Sequence, residues 1–323
     1  MPTAKFSQLE KAILAGLCYY DVFDYPLTAE EIWRWLYVKD GKTDFPKDLN
    51  AVLEVLEMSK NLKEVMETDE NYYYLKGRRE IVETRKERFE ADKNKWRIAK
   101  SAMGFLRMVP FLKYVAVCNN VAINNAKAES DIDFFIVAST GQLWTCRFFT
   151  TWFTWMLGYW RHKNKIRNKI CLSFYAAEES LDFQPLLLKE GDPYFNFWVD
   201  QLVPLFDRGG TGEKIKAQNT WVLKQLPNAL AGQKESLVKP DSLTAMIQQF
   251  FEIVFINPIL GPWLTNFIRH NQMKKMGKNQ ESVAKENNTK VVIADSVLKF
   301  HETDKREFYR QKFYERLKTQ GLE

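Results

Sequence analysis

Apolar positions recur every three to four residues near the start of the chain. Leu9, Ile13, Leu14 and Leu17 make one helical face, and Leu49, Val52, Leu53 and Leu56 make another. Between them, Thr28-Ala29-Glu30-Glu31 has the spacing of a capping box and predicts a helix through Ile32, Trp35 and Leu36. LKEVMET and YYYL then flank a turn at Asp69-Glu70-Asn71 and read as two short strands. Three helices and a hairpin follow the winged-helix order, so residues 1–76 are expected to form a winged-helix-like module. A long charged helical pattern over 77–107 reads as a connecting helix. FLKYVAVC, DIDFFIV and KICLSFYA are strand candidates, with a helix from about Gln142 to Tyr159 between the last two. They place a small mixed-sheet core at 108–190. Helical period dominates 191–323, giving an α+β chain with a helical C-terminal region.

Composition narrows the chemistry. The four cysteines are far apart and none forms a Cys-x-x-Cys pair, which excludes a disulfide framework and a cysteine-rich zinc site. The three histidines lack metal-ligand spacing, so histidine-based metal or triad chemistry is not expected. The start of the chain lacks the basic-then-apolar order of a signal peptide. Phe148–Trp160 and Ile253–Ile268 are uncharged, but as helices they reach only about 20 and 24 Å against a hydrocarbon core of about 30 Å. No transmembrane segment and a cytoplasmic location are therefore expected.

Charge argues against DNA reading by the first module. Its third helix carries Asp48, Glu54 and Glu57 against Lys47 and Lys60, and the hairpin tip Glu67-Thr68-Asp69-Glu70 is acidic. Between Lys76 and Lys100, ten basic side chains stand against five acidic ones, which fits a solvated helix laced with pairs one turn apart.

The sharpest feature is VAVCNNVAINNAKAESDIDFFIV, residues 115–137. An apolar strand runs into the small polar pair Asn119-Asn120, and a polar connection then leads to Asp131-Ile132-Asp133 at the start of a second strand. Alternation puts Asp131 and Asp133 on one face, and Ile132, Phe134 and Ile136 on the other. Two carboxylates about 4 Å apart repel by about 4 kcal/mol at an effective dielectric near 20. A divalent cation removes that cost, and an oxygen-rich, partly hydrated site suits Mg²⁺ with substrate phosphates completing the shell.

This segment resembles the nucleotidyltransferase superfamily of the DNA polymerase β type. Asn119-Asn120 stands where glycine-serine is usual, Asn120 lies 11 positions before Asp131, and Glu129-Ser130-Asp131-Ile132-Asp133 is close to the usual SDIDL wording. FDYPLTAEEIW (23–33), KICLSFYAAEE (169–179) and LKFHETDKREFYR (298–310) are similar to recurring blocks of bacterial nucleotidyltransferase-domain proteins with a winged-helix-like front.

The resemblance implies a nucleotidyltransferase core and Mg²⁺-dependent transfer of a nucleotidyl group from a nucleoside triphosphate to a hydroxyl or phosphate acceptor, with RNA or a small molecule as the acceptor. Asp131 and Asp133 would be the catalytic, metal-holding pair. Asn119, Asn120 and Ser130 would lie against the nucleotide, with backbone N–H groups at the short helix start near the phosphates. The family's third carboxylate is missing from KICLSFYA, where Ser173 takes the inward position, and Glu178, Glu179 and Asp182 lie beyond that strand. The alternatives are a nucleotide-binding sensor or scaffold with degraded catalysis, or a nucleic-acid-binding regulator.

Three further stretches bear on the site and its surroundings. Trp144, Phe148, Phe149, Trp152, Phe153, Trp155, Met156 and Trp160 cover more than one face of a helix and are expected to pack in the core. RHKNKIRNK (161–169) has five basic residues and no acid; it is either a solvated loop or a triphosphate clamp, with Lys169 as its best single residue. FFEIVFINPILGPWLTNFI (250–268), followed by Arg269, Lys274, Lys275 and Lys278, could lie on a membrane surface. The expectation is instead a buried helix broken at Asn257-Pro258.

Overall fold

The structure is a computed structural model that describes residues 6–162, 165–230, 235–239, 241–277, 289–300 and 304–322. Helices α1 (Gln8–Asp21), α2 (Ala29–Arg34), α3 (Leu49–Met58) and α4 (Lys60–Val65) precede a hairpin of β1 (Met66–Asp69) and β2 (Tyr72–Leu75). Ser7 and Thr28 close reciprocal capping boxes with Glu10 and Glu31, which fixes the first two helix starts. Ser59 ends α3 and caps α4, so the first four residues of LKEVMET, expected as strand, are helical and the strand begins only at Met66. Glu70 and Asn71 both have positive φ, which suits the two-residue turn of the hairpin. The 27-residue α5 (Glu80–Leu106) follows.

The centre is one six-stranded mixed sheet. β3 (Leu112–Cys118), a single turn α6 (Asn119–Ala122), β4 (Ile132–Ala138), α7 (Leu143–Met156) and β5 (Ile170–Ala177) come in that order. α8 (Pro193–Asp200), β6 (Val203–Asp207), α9 (Thr211–Gln218), α10 (Ser242–Ile256), α11 (Leu260–Gly277), β7 (Val291–Ile293), β8 (Val297–Phe300) and α12 (Arg306–Thr319) complete the described elements. The strand order is β6-β3-β4-β5-β8-β7, and β4 and β5 pair in parallel while every other neighbouring pair is antiparallel.

The region beyond 191 is therefore not simply helical, because it supplies three of the six strands. Nor does the core stop at residue 76 or 190. One sheet face, with Tyr114, Phe135, Phe174 and Ala176, packs in a single cluster with α1, α8 and α12. Tyr19 of α1 stacks on Phe197 of α8 at 3.8 Å, and Arg34 of α2 pairs with the buried Asp200. The opposite face, with Val115, Phe134, Ile136 and Tyr175, is covered by α5 and α7.

α5 is not merely a solvated connector. Its Asp92 and Lys95 are buried, and Arg85 and Arg88 reach inward to Glu31 and Asn125. Among the described residues no single helix is long and apolar enough to cross a bilayer; α10 and α11 pass by length only as a pair, and that pair is bent by 96°.

Candidate functional site

The strand period places Asp133 on the same face as Phe135 and Val137, and Asp131 immediately ahead of β4 shares its side. Parallel pairing sets Cys171 of β5 directly beside Asp133. Ligand atoms of Asp131, Asp133 and Cys171 lie within 4.8 Å of one another. Arg161, in the loop after α7, completes the group: its Nη1 is 2.8 Å from Asp131 Oδ2 and donates to Cys171 Sγ at 3.4 Å. The contact with Asp131 is an ion pair without hydrogen-bond alignment, so Oδ2 is buried and lacks an aligned donor.

Burial, and then the charge of Asp131, push the Asp133 carboxyl up to about 6. Burial also pushes the Cys171 thiol up to about 12, with the Asp133 charge adding to it. At neutral pH that sulfur stays protonated, which makes it a poor ligand for a hard cation. That leaves the two carboxylates as the oxygen donors in the group that suit a hard divalent cation.

Asn119 begins α6 with φ of +58°, the left-handed backbone that glycine adopts freely and asparagine tolerates. Both ends of its side chain are engaged: Nδ2 donates to Asp133 Oδ2 at 2.9 Å, and Tyr194 of α8 donates to its Oδ1 at 3.2 Å. Asn119 therefore positions Asp133. Asn120 is exposed beside it. Ser130 adjoins the pair, and its carbonyl is held by the buried Lys95, whose ammonium also donates to Ala128 O and Asn168 Oδ1. Lys95 thereby fixes the connection that delivers Asp131.

Lys169 does not join this group as a clamp. Its ammonium donates to Gly158 O, at the end of the helix, and among the described basic residues of that loop it is Arg161 that reaches Asp131. Periodicity and spacing thus bring together Asn119, Asp131 and Asp133 but miss Arg161, Cys171 and Tyr194. Sequence signals for these three were weak: one arginine in a basic run, one cysteine in an apolar strand, and one tyrosine distant in the chain.

Ser173, two residues beyond Cys171, offers that thiol a hydrogen bond. Among the described residues no third carboxylate belongs to the cluster. Glu178 instead pairs with Lys113 and Lys214, and Glu179 accepts from Thr140. A separate cleft of about 540 Å³ beside α2 contains Arg34, Asp200, Arg85 and Glu31, but those charges are already paired with each other. Compared with known proteins, the chain matches no family model, no curated protein and no solved structure.

Proposed function

We propose that the protein uses Asp131 and Asp133 to bind a Mg²⁺–nucleoside triphosphate and transfer its nucleotidyl group to an acceptor. The observation that carries this reading is the pair itself: two carboxylates side by side at a strand start, one pushed up to about 6 and the other with a buried, unaligned oxygen. A metal cation there removes the repulsion between the two carboxylates. Asp131 and Asp133 would hold it, and when bound Mg²⁺ neutralises phosphate charge and favours displacement at the α-phosphorus.

The chain's own residues have separable tasks. Tyr194 and Asn119 hold the Asp133 carboxylate in register, and Lys95 anchors the loop bearing Asp131. Arg161 neutralises Asp131 in the free protein. Once a cation takes over that task, its guanidinium is suited to phosphate oxygens. The acceptor attacks the α-phosphorus in line, and pyrophosphate leaves. With Cys171 beside Asp133, no further carboxylate in the cluster takes an acceptor proton. An acceptor already carrying an anionic oxygen, such as a phosphate monoester, therefore asks least of this site.

The same absence supports a second reading, a nucleotide sensor that binds without turnover. Thermal unfolding with Mg²⁺, each triphosphate, and both together tests the shared claim. A shift that needs both ligands and disappears in Asp131→Asn supports the site; at about 100 times the dissociation constant it amounts to about 2.7 kcal/mol. No shift with any triphosphate refutes it. Pyrophosphate release on adding phosphorylated acceptors separates transferase from sensor.

A further inference from the structure

The long apolar stretches at 148–160 and 250–268 do not bury themselves as their composition suggests. Only one side of α10 faces inward, through Gln248, Glu252 and Phe255. Leu243, Met246, Phe250, Ile253 and Ile256 form an exposed stripe along its other side. At the corner between α10 and α11, Ile259 is 82% exposed, and Trp263 and Phe267 continue the apolar surface along α11. α7 adds Phe148, Trp152, Trp155 and Met156. Ring contacts from Trp152 through Phe149 and Phe251 to Phe250 join the two areas. A patch of this kind marks an interaction surface.

Charge points to its occupant. Glu252 is the only acid between Ser242 and Gly277, and it turns inward to Arg208 and Phe111 N. α7 contains no acid either. The acids that border the patch are each neutralised in an ion pair, Asp241 with Arg107 and Asp295 with Arg269. The cations left over are Lys274 and Lys275, exposed on the last turn of α11 with no ion pair to a described residue, and Lys165 and Arg167, exposed in the loop after α7. Two copies meeting face to face would bring together two faces with surplus cations and no surplus acid to offset them. A layer of anionic headgroups over hydrocarbon matches both the cations and the apolar stripe.

The corner is built to enter such a layer. Asn257 Oδ1 accepts from Ile259 N and Leu260 N, and Asn257 O accepts from Gly261 N, so the protruding turn carries its backbone donors already satisfied. A Cβ on Gly261 would stand 2.0 Å from Phe255 O, so glycine lets the two arms close. Tryptophans 152, 155 and 263 sit within this surface, as is usual for side chains at a headgroup boundary.

We propose that the α10–α11 corner and the outer face of α7 dock the protein onto an anionic lipid surface without spanning it. This inference rests on the exposure and charge of these helices and is independent of the reaction at Asp131 and Asp133. Flotation of the full chain with phosphatidylcholine vesicles, with and without about one-third phosphatidylglycerol, tests it. The anionic vesicles should bind at least about tenfold more tightly at low salt. Ile259→Glu with Trp263→Ser should abolish binding while leaving thermal unfolding unchanged, because both side chains are largely exposed. Lys274→Gln with Lys275→Gln should cut the anionic preference severalfold, with Lys165 and Arg167 left in place. Absence of flotation, flotation that survives Ile259→Glu with Trp263→Ser, or a sedimenting dimer that Ile259→Glu dissolves would each overturn the proposal, the last by assigning the face to a second copy.

Discussion

Replacing Asp133 by asparagine should stabilise the ligand-free protein at alkaline pH while removing its response to Mg²⁺. The folded carboxyl titrates at about 6 against an ordinary 3.8, chiefly because it is buried and next because Asp131 is charged. At about 1.4 kcal/mol per unit, keeping Asp133 ionised costs at most about 3 kcal/mol. Partial solvent access at this residue brings the expected cost nearer 1–2 kcal/mol. The sign follows from proton uptake. Between pH 3.8 and 6 the folded chain holds a proton that the unfolded chain has released, so wild-type stability falls as pH rises through that window and stays lower above it.

The amide cannot ionise, and its oxygen can still accept from Asn119 Nδ2. Urea unfolding at pH 4 and pH 8 should therefore give nearly equal stabilities for variant and wild type at the lower pH. At the higher pH the Asp133→Asn protein should be more stable by about 1–2 kcal/mol. Asp92, whose carboxyl burial pushes up to about 7, tilts both proteins the same way and cancels in the difference. A variant less stable than wild type at pH 8, or a difference that does not change with pH, would refute the reasoning that the ligand-free pair is electrostatically strained.

Other substitutions probe the supports. Arg306 is buried against Asp192 and Asp304 and also donates to Leu186 O, so Arg306→Met should cost about 3–5 kcal/mol by thermal unfolding, because it strands the buried Asp192 and leaves Asp304 with Lys299 alone. Lys95→Met should cost about 2–4 kcal/mol in urea and weaken Mg²⁺–triphosphate binding, because Ala128 O and Asn168 Oδ1 lose the ammonium and Ser130 O is left with Asn168 N alone. Gly16→Ala should destabilise by about 1–3 kcal/mol, since its Cβ would stand 2.8 Å from Trp35 O; Gly104→Ala, with nothing within 4 Å, should stabilise by up to about 1 kcal/mol in the same assay.

What the sequence revealed and what it hid follow from the range of the forces involved. β3, β4 and β5 were legible as apolar runs, and the shared face of Asp131 and Asp133 followed from the two-residue period of a strand. β6 was missed because Pro204 interrupts its pattern. The structure makes it the edge strand of the sheet, where proline is tolerated. β7 and β8 are only three and four residues long, too short to show a period.

Cys171 enters the site through the β4–β5 register, and Arg161 enters through the course of a loop. Neither is a local property of the chain. LKFHETDKREFYR stood out in the sequence by resemblance alone, whereas in the structure Lys299, Asp304 and Arg306 within it form a buried ion network that ties β8 and α12 to Asp192. The expectation that fails most clearly is burial of the apolar stretches. Composition predicts a core, but no described element covers the outer faces of α7, α10 and α11, and Trp155 and Phe250 are left 62% and 64% exposed.

The central claim is that Asp131 and Asp133 together hold a divalent cation with a triphosphate. Titration with Mn²⁺ as a paramagnetic stand-in for Mg²⁺, followed by electron paramagnetic resonance with and without a non-hydrolysable nucleoside triphosphate, measures that directly. The account predicts one ion per chain, bound at least about tenfold more tightly when the nucleotide is present. It also predicts loss of that ion in Asp131→Asn with Asp133→Asn. An equally tight ion in the double variant, or no ion in the wild type with nucleotide present, would contradict it.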